Sequence, residues 1–191
     1  DYLDPAAREM GDPFAPLLDA LAAGNVVVFD VESTGLDTAH DEIVQIAGVR
    51  LAPDGSIAEK FMRYLCPTQP ISKGAEDTHH LTMAFLREHG EDPAAVLRDF
   101  CAFAAGSVIV GHNVTYDLRI LGSQLARLGL PPLAYPVYFD TLDIFRRFHP
   151  NLPNHRLEYL GQVCEVTHAS SHDAFDDICA TAEILLYAME H

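Results

Sequence analysis

The stretch NVVVFDVESTGLD, residues 25–37, holds a run of apolar residues, the carboxylates of Asp30 and Glu32, and a turn that ends on Asp37. Asn25 to Val31 reads as a strand, and its apolar run Val26-Val27-Val28-Phe29 fits one buried on both faces of a sheet. Ser33-Thr34-Gly35-Leu36-Asp37 then supplies the turn. Asp30 and Glu32 stand two apart near the strand's end, and residues two apart in a strand project from one face. Both carboxylates would therefore aim at one spot. Two anions beside a buried strand are costly unless a cation compensates them. The alternative is a strand end in open solvent. With 28 acidic residues in the chain, one Asp-x-Glu pair is expected by chance, so position rather than composition carries this reading.

On the C-terminal side, Ile43 to Leu51 and Glu59 to Leu65 flank Pro53-Asp54-Gly55, a hairpin signal. Three consecutive strands result, the second and third antiparallel. On the N-terminal side, residues 1–24 form a Pro- and Ala-rich extension. Pro13 stands at a possible helix start and Leu17, Leu18 and Leu21 lie on one side, which suggests a short helix packed on a body spanning 25–191. Asp92-Pro93 opens an amphipathic helix to about Ala105, Asp92 as N-cap and Pro93 in the first turn. Val108 to Val110 is a short strand ending at Gly111-His112-Asn113. Leu118, Leu121, Leu125 and Leu128 mark a helix stopped by Gly129 and Pro131. Val137 to Phe139 is a further strand, and Thr141–Phe148, Arg156–Val163 and Ala174–Glu190 read as helices. Strands first, then alternating helix and strand, give an α/β fold: a mixed five-stranded sheet flanked by helices.

The 191 residues carry 12 basic against 28 acidic side chains, a net charge of −16, with 49% hydrophobic residues. That is globular composition, not a disordered acidic tail. The charge argues against non-specific binding to long polyphosphates, which needs a basic footprint, yet leaves room for an enzyme that neutralises such a substrate with metal ions. The longest apolar runs are strand-sized, so no membrane partner is expected. No basic region followed by an apolar core stands at the N-terminus, and a cytoplasmic location is expected. The chain opens on Asp1, which suggests a piece of a longer protein. Cys66, Cys101, Cys164 and Cys179 form no CxxC pair and read as free, mostly buried thiols.

Two more acidic positions fall where ligands gather. Asp117 follows the strand ending at Gly111 and starts the next helix, close to Asn113; the plainer reading is an acid that complements the helix dipole. His172 and Asp177 are five apart, about 140° around a helix, and cannot share a helical face. If the helix begins near Asp173, His172 lies in the entering loop and can turn toward Asp177. A histidine there could act as a general base, or be an ordinary surface residue beside a helix-start charge cluster. Together, oxygen-only ligands suit Mg²⁺ or Mn²⁺. Four carboxylates with a nearby histidine suit two-metal phosphodiester hydrolysis.

Three segments together resemble the DEDDh branch of the DnaQ-like 3′→5′ exonucleases, the family of polymerase III epsilon proofreading subunits, RNase T and oligoribonuclease. Phe29-Asp30-Val31-Glu32-Ser33-Thr34-Gly35-Leu36 is similar to its DxExTGL motif, Gly111-His112-Asn113-Val114-Thr115-Tyr116-Asp117 to its HNxxxD motif, and His172 to Asp177 to its HxAxxD motif. Ala75, His79, Leu81 and Thr82 resemble its AxxxHxIT segment, with His80 in place of a small residue. The resemblance covers roughly Asn25 to Met189 and implies an RNase H-like sheet. It implies that Asp30, Glu32, Asp117 and Asp177 hold two divalent ions, Mg²⁺ or Mn²⁺, and that His172 deprotonates the attacking water. Thr34, Gly35 and Leu36 would hold the terminal nucleotide, with His79 and Asn113 as secondary contacts. The implied activity is 3′→5′ hydrolysis of single-stranded or frayed ends, DNA before RNA, releasing nucleoside 5′-monophosphates. Implied partners are single-stranded DNA or RNA 3′ ends and a polymerase, a helicase or a further domain of a longer chain. The rival readings are an RNA- or oligoribonucleotide-trimming enzyme, a catalytically silent nucleic-acid- or polymerase-binding domain of the same fold, and an unrelated metal hydrolase of small phosphoesters.

Overall fold

In the computed structural model, residues 14–148 and 174–190 are described, with the backbone alone at 147–148, 174–177 and 187–190. The helix expected over Arg156–Val163, His172 and residues 1–13 lie outside them. Helix α1 (Ala15–Ala22) begins with a proline in its first turn, Pro16 rather than Pro13, and buries Leu17 and Ala20. It leads into β1 (Val26–Ser33), β2 (Ile43–Leu51) and β3 (Ile57–Tyr64). Two short helices follow, α2 (Lys73–His79) and α3 (Met83–His89), then α4 (Pro93–Ala104). The chain continues through β4 (Val108–Gly111), α5 (Val114–Arg127), β5 (Tyr138–Asp140), α6 (Thr141–Phe148) and α7 (Ala174–Glu190).

The sheet order is β3-β2-β1-β4-β5. β1 pairs antiparallel with β2 and parallel with β4, β2 antiparallel with β3, and β4 parallel with β5. This is the mixed five-stranded sheet expected, with β1 at its centre. Alternation along β1 divides the core in two. Val26 and Val28 pack with Phe14 and Leu17 before α1 and on it, Ile144 and Phe145 of α6, and Ile178 and Leu185 of α7. Val27, Phe29 and Val31 pack on the opposite face with Val96, Leu97 and Phe100 of α4 and with Ile120, Leu121 and Leu125 of α5. Asp30 and Glu32 continue the parity of Val26 and Val28, so they leave the sheet on the side that α7 covers.

Boundaries depart from the sequence reading in instructive ways. β1 runs on to Ser33, carried by pairing of Glu32 with Gln45 and of Ser33 with Ile43 across a register shift. β3 starts at Ile57 and is exposed along its first four residues, because it forms a sheet edge. β5 begins one residue after Val137. Leu128 was expected on the apolar stripe of α5, but it is the C-cap and 40% exposed; the stripe ends at Leu125. Asp92 caps α4 as expected, its carboxylate accepting from the Ala95 N–H at 3.2 Å. Cys66, Cys101 and Cys179 are free thiols, half-buried rather than buried.

Candidate nuclease site

The parallel pair β1–β4 ends at the same edge of the sheet, and α5 starts immediately beyond β4. Asp30 and Glu32 reach that edge half-buried. Asp117, in the first turn of α5, is 3% exposed, and its carboxylate accepts the Val31 N–H between them. Burial first, and then the charges of Asp30 and Glu32, push its carboxyl well above the ordinary range, against the one stabilising bond from Val31. Asp117 therefore does more than complement a helix dipole. It is a buried acid repelled by two neighbouring acids, and that is where a cation would relieve most.

Asp140, at the end of β5, sets the entry to α5. Its carboxylate accepts the N–H groups of Asn113 (2.8 Å), Val114 (3.1 Å) and Leu142 (2.9 Å), so it caps α5 as well as the helix that follows it. Burial raises its pKa, and these bonds oppose the rise. Asn113 sits in the left-handed region at φ 55°, a conformation its residue type tolerates, and its exposed side chain caps nothing. His112 Nδ1 lies 2.8 Å from Thr141 Oγ1, a bond to the neighbouring helix.

A cavity of about 280 Å³ opens beside Glu32. Its walls are Val31 to Ser33, Gly35 and Leu36, then Ser72, Gly74, Ala75, Thr78 and His79 of the α2 region, and Tyr116. Leu36 is 89% exposed at its rim, an apolar surface that no described residue covers. Thr34, by contrast, is 1% exposed and works inward. Its hydroxyl donates to Asp41 Oδ1 (2.8 Å) and accepts from the Glu42 N–H (3.0 Å) and Gln69 Nε2 (2.9 Å), while its backbone N–H bonds the Glu42 carbonyl. Thr34 thus shapes the turn without lining the cavity. Gly35 leaves room for Asp41: a Cβ there would stand 2.6 Å from Asp41 Oδ2, and that carboxylate would have to move.

His79 is buried, and its two ring nitrogens are both engaged. Nδ1 accepts the Leu81 N–H at 3.0 Å, so Nε2 carries the proton and donates it to the Ser33 carbonyl at 2.9 Å. Desolvation lowers its pKa, which keeps the ring neutral. His79 therefore fastens α2 to the end of β1 and meets the cavity with its ring. Ser72 adds a second tie, its N–H donating to the Thr34 carbonyl at 2.8 Å.

Of the expected site residues, the fold gathers Asp30, Glu32 and Asp117 at one edge, and Gly35, Leu36 and His79 around the cavity. Asn113 lies outside the cavity lining. The backbone of Asp177 is in the first turn of α7, the helix that packs across β1 and β2, while its side chain and all of His172 lie outside the described residues. The sequence reading missed Tyr116 and the reach of Asp140. Asp140 had a usable signal, since it is one more acid at the end of a parallel strand. Tyr116 had none, because its partners are 81 and 83 residues away.

Residues 27–185 match the exonuclease family. Among curated proteins, the chain is 36% identical over 171 residues to a DNA polymerase III PolC-type from Lacticaseibacillus paracasei, covering 89% of this chain and 12% of that protein. It spans about a tenth of the length of the curated relatives it matches. Among solved structures, Exonuclease I superposes with a TM-score of 0.79 at 23% identity, over 87% of this chain and 41% of that one, a likeness of fold. The zinc-bound complex of E. coli Exonuclease I with single-stranded DNA gives a TM-score of 0.78 at 25% identity, over 86% and 40%.

Proposed function

The chain belongs to the exonuclease family, and from that premise we propose that it removes nucleotides from the 3′ end of single-stranded or frayed nucleic acid, releasing nucleoside 5′-monophosphates. The observation that carries this reading is Asp117: a buried carboxyl repelled by Asp30 and Glu32, with Glu32 lining a cavity of about 280 Å³. The preference for DNA over RNA draws support from relatives named as DNA polymerases and from the single-stranded DNA bound to Exonuclease I. Because the matched segment is about a tenth of those polymerases, we read the chain as a proofreading element that works beside a polymerase.

Asp30, Glu32, Asp117 and Asp177 would hold two divalent ions, Mg²⁺ or Mn²⁺. The donor set fits hard cations, being oxygen only, and the repulsion at Asp117 is what such ions would cancel. Among the described residues no three His, Cys, Asp or Glu side chains group closely enough to hold an ion. Asp177, whose backbone lies in the first turn of α7, would supply the fourth carboxylate of the proposed set. When bound, the ions would activate water and stabilise the leaving oxygen. His172 would take the proton from the attacking water. Gly35 and Leu36 would wall the terminal nucleotide, its base against the exposed Leu36 side chain.

The test is digestion of 5′-labelled DNA and RNA strands. A ladder shortening from the 3′ end is expected with Mg²⁺ or Mn²⁺, lost on chelation and restored by either ion, with DNA cut faster. Full activity in chelator, or release of the 5′ label as a mononucleotide, would overturn the reading.

A further inference from the structure

We propose that Tyr116 is a positioning residue of the cavity: its hydroxyl, with that of Ser33, holds the Gly35 carbonyl and so fixes the wall that receives the 3′-terminal nucleotide. This rests on the exonuclease reading above. The Tyr116 hydroxyl donates to the Gly35 carbonyl at 2.9 Å, and the Ser33 hydroxyl reaches the same oxygen at 2.7 Å. The two hydroxyl oxygens are themselves 2.7 Å apart. Each hydroxyl has a single proton, so the three contacts share two protons, and each hydroxyl depends on the other for its alignment. Ser33 is 7% exposed and is tied again through its carbonyl to His79. The carbonyl of Gly35 is thus clasped from β1 and from α5 at once, just before Leu36 emerges at 89% exposure.

The placement of Tyr116 gives the clasp its meaning. It precedes Asp117 on α5, and adjacent helical residues point about 100° apart. One side of the first turn presents Asp117 to Asp30 and Glu32; the other presents Tyr116 to the cavity. The helix that sets the carboxylates therefore also sets the nucleotide wall. Asp117 has its own anchor, the Val31 N–H, which the tyrosine hydroxyl does not touch. Removing that hydroxyl should loosen Leu36 and leave the carboxylates in place. Binding of the terminal nucleotide weakens while the chemical step is spared, a rise in KM without a fall in kcat.

Tyr116→Phe deletes only the oxygen. With a 5′-labelled dT10 strand and Mg²⁺ or Mn²⁺, its KM is expected to rise roughly three- to tenfold, the worth of about one hydrogen bond, with kcat within about twofold of the parent. The inhibition constant of the product dTMP should rise in parallel. Ser33→Ala should act in the same direction, and in the double variant the two increments should fail to multiply, since both act through one carbonyl. An active parent whose KM and dTMP inhibition are unchanged by Tyr116→Phe, with only Tm or active fraction lowered, would overturn the positioning role alone. A parent inactive with both ions would overturn the exonuclease reading and this inference with it.

Discussion

Ionising Asp117 near neutral pH costs folding free energy, because burial and the neighbouring Asp30 and Glu32 hold its carboxyl above the ordinary range. A carboxyl whose pKa is raised by folding stabilises the protein below its unfolded pKa, and that contribution is lost as pH rises through the folded value. At neutral pH without divalent ions the site is thus a source of instability. Asp117→Asn should raise Tm by a few degrees, each 1 kcal/mol being worth about 2–4 °C at this chain length. The same change should lower turnover by several decades. Mg²⁺ or Mn²⁺ should raise the Tm of the parent and do so less for the variant, since binding to the folded state alone stabilises it. A variant no more stable than the parent, measured by thermal melts with and without ion, would remove the like-charge argument. His79 works with the opposite sign. Its pKa is lowered by burial, so its contribution is complete above the unfolded value near 6.5 and is lost as pH falls toward the folded one. Protonation would place a second N–H against the Leu81 N–H. Urea midpoints should therefore fall below about pH 6.5 in the parent, and fall less in His79→Gln.

The first turn of α5 depends on a residue from another strand. Asp140 receives three backbone N–H groups, two of them from the start of α5, and Asp117 lies in that same first turn. Asp140→Ala should cost about 1–2 kcal/mol in urea unfolding, the range for a lost helix cap, and should reduce turnover because it unseats the turn that carries Asp117. An unchanged urea midpoint would show that water replaces the cap without loss. This dependence also shows what a sequence can and cannot declare. β1 was legible because an unbroken apolar run at the centre of a sheet has few other uses, and with it came the shared face of Asp30 and Glu32. α4 was legible from Asp92 and Pro93, whose capping is local in the chain. The start of β3 was not, since an edge strand whose first four residues are exposed carries no alternation to read. Helices α2 and α3 span seven residues each, too short for periodicity, and rest on the caps Ser72 and Thr82. The bonds of the Thr34 hydroxyl to Asp41, Glu42 and Gln69 were not legible either, since only the folded turn creates those contacts.

Charge distributes the whole molecule's affinity toward one end of a substrate. At −16 the surface repels a polyphosphate at long range. Three of the seven arginines whose side chains are described are committed to the protein itself: Arg63 binds Glu91 and Asp99, Arg50 reaches Ser107 and the Phe103 carbonyl, and Arg127 holds the carbonyls of His40 and Asp41. The 12 basic side chains of the chain stand against 28 acidic ones, which argues against an extended basic footprint on a strand. Affinity should come from the terminal nucleotides, through ions at the carboxylates and apolar contact at Leu36. It should therefore gain little once the strand exceeds a handful of nucleotides, and digestion by this chain alone should be distributive. The measurement is affinity for single strands of increasing length across a salt series, with Asp30→Ala as the inactive variant and Ca²⁺ present to offset the remaining carboxylates. Each phosphate neutralised on a single strand contributes about −0.7 to the log–log slope. A slope shallower than about −2 is expected, the equivalent of fewer than three phosphates. A slope near −4 or steeper would mean about six, and hence a basic groove, and would overturn this prediction.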